Sequence, residues 1–202
     1  MVRSDFLSLI PKDAKRILDI GCEKGIFGKQ LKQSNAGLEI VGVEKDKAAY
    51  DIAVKNLDNV IFGDIEEITL PFEKHHFDCI IAGDVLEHLI DPWGTLKNLR
   101  SFLKEGGFFI SSVPNIRHYK VLMRLFRGRW DYADQGILDK THLRFFALDN
   151  VKEMFRGAGL EIEDIRRNIV SARGLRILNI LLFGGLREFL TQQYYISARN
   201  EK

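Results

Sequence analysis

Short apolar runs alternate with segments of helical spacing along the first half of the chain. The runs are rich in Ile, Val, Leu and Phe, as strands buried on both faces are; they cover residues 16–20, 38–43, 59–62, 77–82 and 108–113. Helical spacing follows several of them, over residues 26–33, 47–57 and 92–105. Repeated strand–helix units predict an open, mostly parallel sheet with helices on both faces.

The second half breaks this rhythm. Residues 114–146 show little periodicity but contain several aromatic residues, so we expect an ordered cap over the carboxyl edge of the sheet. A helix over 148–158 and strands over 160–165 and 194–198 are predicted next. An apolar helical segment interrupted at Gly184 follows the first of these strands, and we expect a lid over about 174–190. We predict one domain over residues 1–202.

Composition limits the class of protein. The 202 residues are 46% hydrophobic and 29% charged, and the net charge of +2 gives no nucleic-acid footprint. Two cysteines indicate a reducing compartment, and the charged first twenty residues argue against a signal peptide. We expect a cytoplasmic protein without an integral membrane segment. A homodimer is left open.

The first predicted strand runs into a tight glycine loop. Asp19 precedes Gly21, and Gly25 follows four residues later. A dinucleotide fingerprint requires glycines at the positions that Gly21, Glu23 and Ile26 occupy. Two of these three positions lack glycine, which disfavours a nicotinamide-dependent oxidoreductase.

Acidic residues stand at or just after three consecutive predicted strands. They are Asp19, Glu44 and Asp64. Ligands of open α/β sheets bind outside the carboxyl ends of the strands, and a carboxylate after the second strand can accept hydrogen bonds from a ribose diol. The sequence therefore predicts a nucleoside site at this edge.

Four segments resemble the successive motifs of class I S-adenosylmethionine-dependent methyltransferases: ILDIGCEKG, VGVEKD, FGDIEE and FDCIIAGDVLEHLIDP. The resemblance implies a Rossmann-like seven-stranded sheet whose last strand is antiparallel. It also implies that Asp19 and Gly21 hold the methionine end of the cofactor, Glu44 the ribose, and Asp64 the adenine amine. Glu23 departs from the family, where glycine is usual. The expected cofactor-binding residues are Asp19, Gly21, Cys22, Gly25, Glu44, Lys45, Asp64, Ile65 and Gly83.

Methyl transfer to a hydroxyl requires a general base that works near neutral pH. His142, in the segment DKTHLRFF, is our first candidate, and His88 is the second. His142 could equally cap a helix or pack under the insert.

The segment Asp84-Val85-Leu86-Glu87-His88 could also bind a metal. If it is helical, Asp84, Glu87 and His88 share one face, and His142 could complete a set of ligands. The segment resembles the Glu-x-x-Glu-His of ubiquinone O-methyltransferases and small-RNA 2′-O-methyltransferases. Many small-molecule methyltransferases carry a similar segment without a metal, so we predict no metal.

Residues 112–131 resemble a subgroup found in bacterial glycan and secondary-metabolite pathways, and also the methionine-biosynthesis protein MetW. The insert is locally basic, through Arg117, Lys120, Arg124, Arg127 and Arg129. These side chains could meet an anionic acceptor or form a solvated helix face. We expect methyl transfer to a small-molecule hydroxyl of a sugar, glycan or secondary metabolite. The alternative is a MetW-like regulatory partner with little catalysis, which the Glu87-His88 pair disfavours.

Overall fold

The computed structural model describes residues 4–170 and 173–201, in which seven strands form one mixed sheet. The strands are β1 (Arg16–Ile20), β2 (Glu39–Glu44), β3 (Asn59–Phe62), β4 (Phe77–Gly83), β5 (Leu103–Pro114), β6 (Leu160–Ile169) and β7 (Thr191–Asn200). Their order across the sheet is β3-β2-β1-β4-β5-β7-β6. The first five are mutually parallel, and β7 runs antiparallel to both of its neighbours. The predicted fold class is confirmed.

Helices cover both faces of this sheet. They are α1 (Ser4–Leu7), α2 (Ile26–Ser34), α3 (Lys47–Ala53), α4 (Pro92–Arg100), α5 (Tyr119–Phe126), α6 (Leu148–Gly157), α7 (Arg173–Leu181) and α8 (Arg187–Leu190), with a 3₁₀ turn at Leu86–His88. Successive strand residues point to opposite faces, so Ile17 and Leu18 belong to two different buried clusters. One cluster packs under α4 and α6, and the other under α2 and α3.

The predicted helix over 92–105 is too long. It ends at Arg100, and Leu103 instead begins β5 beside Phe77. Leu103 is fully buried. A buried leucine at this position fits the helical spacing of Leu96 and Leu99, and it also fits the start of a buried strand. Periodicity alone therefore could not distinguish a longer helix from a strand. Gly106, predicted as the stop, adopts φ +73° within the irregular start of β5.

The insert over 114–146 is less irregular than predicted, because it contains the two-turn helix α5. The start of the insert is tied to the connection between β6 and β7. The Asn115 side-chain amide donates to the carbonyl oxygens of Glu188 and Thr191, at 2.8 Å each, and His118 Nε2 lies 3.2 Å from the Val170 carbonyl oxygen. His118 is therefore a buried anchor of the insert.

The predicted apolar helix over 174–190 is present as α7 and α8, which are separated by a turn at Gly184. Its function as a lid stays a prediction. Among residues 4–170 and 173–201, no helix combines the length and the apolar character that crossing a bilayer requires.

Candidate active site

The carboxyl ends of β1, β2 and β3 meet at one edge of the sheet and bound a cleft. Asp19, Glu44 and Asp64 come together there, as predicted, since β2 pairs in parallel register with both β1 and β3. A cavity of about 680 Å³ contains Glu44, Asp64 and Ile65 in its wall. A second cavity, of about 390 Å³, contains Asp19. The two cavities adjoin each other, since both are lined by Gly21, Glu23, Gly83 and Asp84.

The glycine loop needs its two glycines for different reasons. Gly21 adopts φ +66°, and a Cβ there would lie 2.9 Å from Val85 Cγ2, so only glycine keeps this part of the cleft open. Gly25 also has a positive φ, of +68°, but its open side faces Leu57 and Ala53. Gly21 thus lines the cleft, whereas Gly25 lets α2 pack closely on α3.

Glu23 occupies the position where the resemblance predicts glycine. Its φ is +48°, in the left-handed region that disfavours a side chain. Its backbone N–H donates to Glu44 Oε2 at 2.8 Å, and its side chain is exposed. The loop therefore keeps the glycine conformation despite carrying a glutamate.

We expect Glu23→Gly to raise the free energy of unfolding by about 0.5–1 kcal/mol, because glycine removes the left-handed strain. The pKa of Asp19 should also fall, since the Glu23 charge helps to raise it. Urea unfolding checks the first effect. Phe183→Gly is the control, because Phe183 also has a positive φ, of +50°, and lines neither cavity. A destabilised Glu23→Gly protein would contradict the account.

Glu44, the last residue of β2, organises the loop through both carboxylate oxygens. Oε2 accepts from the Glu23 N–H, and Oε1 accepts from the Asp46 N–H at 2.7 Å. Each carboxylate oxygen can accept more than one hydrogen bond, so the carboxylate keeps capacity for hydroxyl donors in the cleft. Its buried and doubly fixed position makes it a preorganised acceptor.

Asp64 lies two residues after β3, and Lys45 lies one residue after β2. Asp64 Oδ2 pairs with Lys45 Nζ at 3.0 Å, and Oδ1 accepts from the Glu66 N–H at 3.1 Å. Partial burial alone would raise the pKa of Asp64, but these two donors lower it below its usual value. Asp64 is therefore an ionised acceptor, beside the apolar side chain of Ile65 on the same wall.

Asp19 is buried on the wall of the cleft among other acidic groups. Burial raises its pKa to about 7, and the charges of Glu23 and Glu44 add to the effect. Burial, together with the charges of Asp19 and Glu44, raises the pKa of the neighbouring Cys22 to about 12, so that thiol stays protonated. The carboxyl of Asp19 is thus poised to ionise when a cation arrives.

Asp84 does not share a helical face with Glu87 and His88, contrary to the sequence expectation. It adopts φ +57°, and the helical turn begins only at Leu86. Asp84 Oδ1 accepts from Ser112 Oγ at 2.8 Å and from Gln193 Nε2. This strained residue joins β4, β5 and β7 where the two cavities meet.

Glu87 points into the protein beside His142. It is 1% exposed, and neither carboxyl oxygen has a hydrogen-bond partner among the described residues. Burial and the Asp84 charge raise its pKa well above the usual value. His142 Nε2 lies 4.0 Å from Glu87 Oε1, and burial lowers the pKa of His142. Both shifts therefore favour the uncharged form of the group.

The two candidate histidines differ in their access to the cleft. Their rings meet edge to face, with centroids 4.7 Å apart. His88 lines the larger cavity, whereas the His142 side chain is only 6% exposed and its Nδ1 lies 3.1 Å from the Ile137 carbonyl oxygen. His88, the second candidate from the sequence, therefore lies on the wall of the cleft. His142, the first candidate, lies behind it.

Three side chains beside the 3₁₀ turn could hold a metal ion. Glu87, His88 and His142 each offer one ligand atom, and these atoms lie within 4.8 Å of one another. Asp84 is already engaged with Ser112 and Gln193, so it is not poised to be a fourth ligand.

Several cleft residues carry no sequence signal that would identify them. Phe6 of α1 lies 3.5 Å from the position a Cβ would take on Gly83, and its ring packs 5.8 Å from that of Tyr195. Gln193 and Tyr195 come from β7. Thr141 lines the larger cavity beside His88, and it belongs to the DKTHLRFF segment that was considered only for its histidine.

The mixed seven-stranded sheet places this protein in the class of Rossmann-like folds, whose ligands bind outside the carboxyl ends of the strands. Comparison with known proteins identifies the family. A family model described as a methyltransferase domain matches residues 3–165, so the chain belongs to this family. The resemblance found in the sequence is confirmed, and S-adenosylmethionine is the cofactor of this family.

Among curated relatives, the ubiquinone biosynthesis O-methyltransferase of Cereibacter sphaeroides (strain ATCC 17029 / ATH 2.4.9) is 27% identical over 168 residues. The match covers 79% of this chain and 66% of that protein, so the chain spans about two thirds of the relative's length.

Solved structures show the same fold. A SAM-dependent methyltransferase from Archaeoglobus fulgidus has a TM-score of 0.68 at 21% identity, covering 93% of this chain and 87% of that one. A SAM-dependent methyltransferase from Thermotoga maritima, described as a possible histamine N-methyltransferase, has a TM-score of 0.69 at 20% identity. That match covers 97% of this chain and 86% of the other.

Proposed function

We propose that this protein transfers the methyl group of S-adenosylmethionine to a hydroxyl oxygen of a small-molecule acceptor. The observation that carries the proposal is the position of His88, whose imidazole lies on the wall of the same cleft as Glu44 and Asp64. The name of the curated relatives, O-methyltransferase, supports oxygen as the acceptor atom.

The cofactor roles follow from the charges of the cleft. Asp19 would face the cationic methionine end, because it is a buried acid with acidic neighbours. Glu44 would accept from the ribose hydroxyls, and Asp64 from the adenine amine, with Ile65 packing beside the ring. Gly21 and Gly83 lie on the wall of both cavities and would leave room for the sulfonium between them.

The reaction requires alignment and proton removal more than activation of the methyl group. The sulfonium supplies the electrophile, so the protein must bring the acceptor oxygen into line and take its proton. We propose His88 as the general base. His142 and Glu87 would support its ring from behind, and their pairing would tighten when the complex forms.

The acceptor would bind between the cleft and the segments predicted as cap and lid. The insert anchored by Asn115 and His118 adjoins the connection that contains α7 and α8. We propose that these segments select the acceptor, and that the basic side chains of the insert favour an anionic one.

Two measurements test this proposal. Calorimetry with S-adenosylmethionine, S-adenosylhomocysteine and NAD should show binding of the first two alone; binding of NAD alone would overturn the cofactor assignment. An assay with methyl-labelled cofactor over hydroxylated sugars and phenols should show transfer. Cofactor binding without transfer to any of these acceptors would favour the MetW-like regulatory function instead.

Glu44→Ala should weaken cofactor binding by about 1.5–3 kcal/mol, the scale of hydrogen bonds to a charged acceptor. Titration calorimetry measures the change. Glu39→Ala is the matched control, since Glu39 lies at the other end of β2, where it pairs with Arg16 at 3.4 Å. Equal affinity of the Glu44→Ala and wild-type proteins would show that Glu44 is not the ribose ligand.

A further inference from the structure

The DKTHLRFF segment is fastened to the turn that carries His88. The backbone N–H groups of Leu143 and Arg144 both donate to the Glu87 carbonyl oxygen, at 2.8 and 3.0 Å. This attachment brings Thr141 alongside His88, although the two are 53 residues apart in the chain. The segment therefore acts on the ring of His88 as well as supplying His142.

Thr141 offers two oxygen atoms to the same ring nitrogen. Its carbonyl oxygen and its Oγ1 each lie 3.2 Å from His88 Nδ1. A carbonyl oxygen can only accept a hydrogen bond, so this contact favours the tautomer in which Nδ1 carries the proton. Neutral imidazole then has Nε2 as its unprotonated nitrogen.

Asp139 determines which way the Thr141 hydroxyl points. Thr141 Oγ1 lies 2.6 Å from Asp139 Oδ1, and the Thr141 N–H donates to the same oxygen at 2.8 Å. These two donors lower the pKa of Asp139 below its usual value, so the group is an acceptor. The hydroxyl proton goes to Asp139, which leaves Oγ1 to accept from His88.

We propose that Asp139 and Thr141 are positioning residues that hold His88 in the Nδ1-protonated form, with Nε2 as the basic nitrogen. This inference rests on the proposed function, in which His88 takes the proton of the acceptor. Orientation of a histidine by a hydrogen bond to its other nitrogen recurs in enzymes that use imidazole as a base or a ligand.

A pair of substitutions at Thr141 separates positioning from packing. Thr141→Val keeps the shape but removes the hydroxyl, whereas Thr141→Ser keeps the hydroxyl. We expect kcat to fall about 10- to 100-fold in the valine variant, the range for loss of a partner that orients a histidine. The serine variant should recover most of the activity, and KM for S-adenosylmethionine should stay unchanged in both.

The tautomer of His88 provides a readout that does not depend on turnover. Nitrogen-15 NMR of the free protein, assigned with His88→Gln, should show the Nδ1-protonated form in the wild-type and serine proteins. The valine variant loses the hydroxyl acceptor but keeps the backbone carbonyl, so its Nδ1-protonated population should fall part of the way toward a mixture of tautomers. An unchanged tautomer and unchanged kcat in the valine variant would overturn the inference while leaving the proposed function intact. Absence of methyl transfer by the wild-type protein would overturn the proposed function, and the tautomer measurement would still decide the positioning.

Discussion

Replacing Asp19 by Asn is expected to stabilise the free protein and to lower its affinity for the cofactor. The pKa of Asp19 is about 7 in the folded protein, against 3.8 as its ordinary value. Between these two pH values the folded state holds a proton that the unfolded state has lost, so the free energy of unfolding falls as pH rises from about 4 to about 7. Each unit of pKa corresponds to about 1.4 kcal/mol, so the loss amounts to about 4 kcal/mol at most.

Asp19→Asn removes this loss, because the amide does not ionise. We expect the variant to be more stable than the wild-type protein by about 2–4 kcal/mol at pH 8 and by much less at pH 4. Its affinity for S-adenosylmethionine at pH 8 should fall by about 1.5–3 kcal/mol, through loss of a charged partner for the cation. Urea unfolding at both pH values and titration calorimetry measure the two effects.

Asp78→Asn is the matched control for this trade-off. Asp78 lies at the opposite end of the neighbouring strand β4, where it accepts from the N–H groups of Lys15 and Arg16. Partial burial alone would raise its pKa, but Lys104 and these amides lower it, so the same substitution should destabilise the protein at pH 8. Cofactor affinity should not change. If Asp19→Asn stabilised the protein less at pH 8 than at pH 4, each compared with the wild-type protein at the same pH, the result would contradict the account.

The second large effect is expected at His88. Removal of a general base typically lowers the rate by about 10²- to 10⁴-fold, so kcat of His88→Ala should fall within that range. The dissociation constant of S-adenosylmethionine should stay within about threefold of wild type, because the proposed cofactor contacts lie elsewhere in the cleft. A methyl-transfer assay and calorimetry on the same preparations measure both quantities.

His76→Ala is the control for loss of an imidazole. His76 packs 5.1 Å from the Phe72 ring, next to the start of β4 and away from the cleft. Turnover by the His76→Ala variant should match that of the wild-type protein. Full turnover in His88→Ala would show that the base lies elsewhere or that no base is needed, and His142→Ala would then be the variant to test.

The meeting of the acidic residues at one edge of the sheet was largely predictable from the sequence. Strand ends can be read from apolar runs, and parallel strands bring their carboxyl ends to one edge, so the meeting of Asp19, Glu44 and Asp64 followed from topology. The glutamate at position 23 also left the loop in its expected form, because the backbone adopts a left-handed conformation there and the side chain is exposed.

The rest of the cleft depends on contacts that no local pattern encodes. Gln193 reaches Asp84 across 109 residues of chain, because β7 inserts between β5 and β6. The left-handed conformation of Asp84 breaks the helical face that its spacing to Glu87 suggested. His88 lines the cleft and His142 lies behind it because of the way the DKTHLRFF segment packs against the 3₁₀ turn. Periodicity in the sequence does not specify this packing.

A crystal structure of the protein with S-adenosylhomocysteine tests the central claim most directly. The account predicts the ribose hydroxyls within hydrogen-bonding distance of the Glu44 carboxylate, the adenine beside Ile65, and the amino acid end facing Asp19. A nucleoside bound outside the tips of β1, β2 and β3, or a complex in which Glu44 contacts only the Glu23 and Asp46 amides, would contradict it.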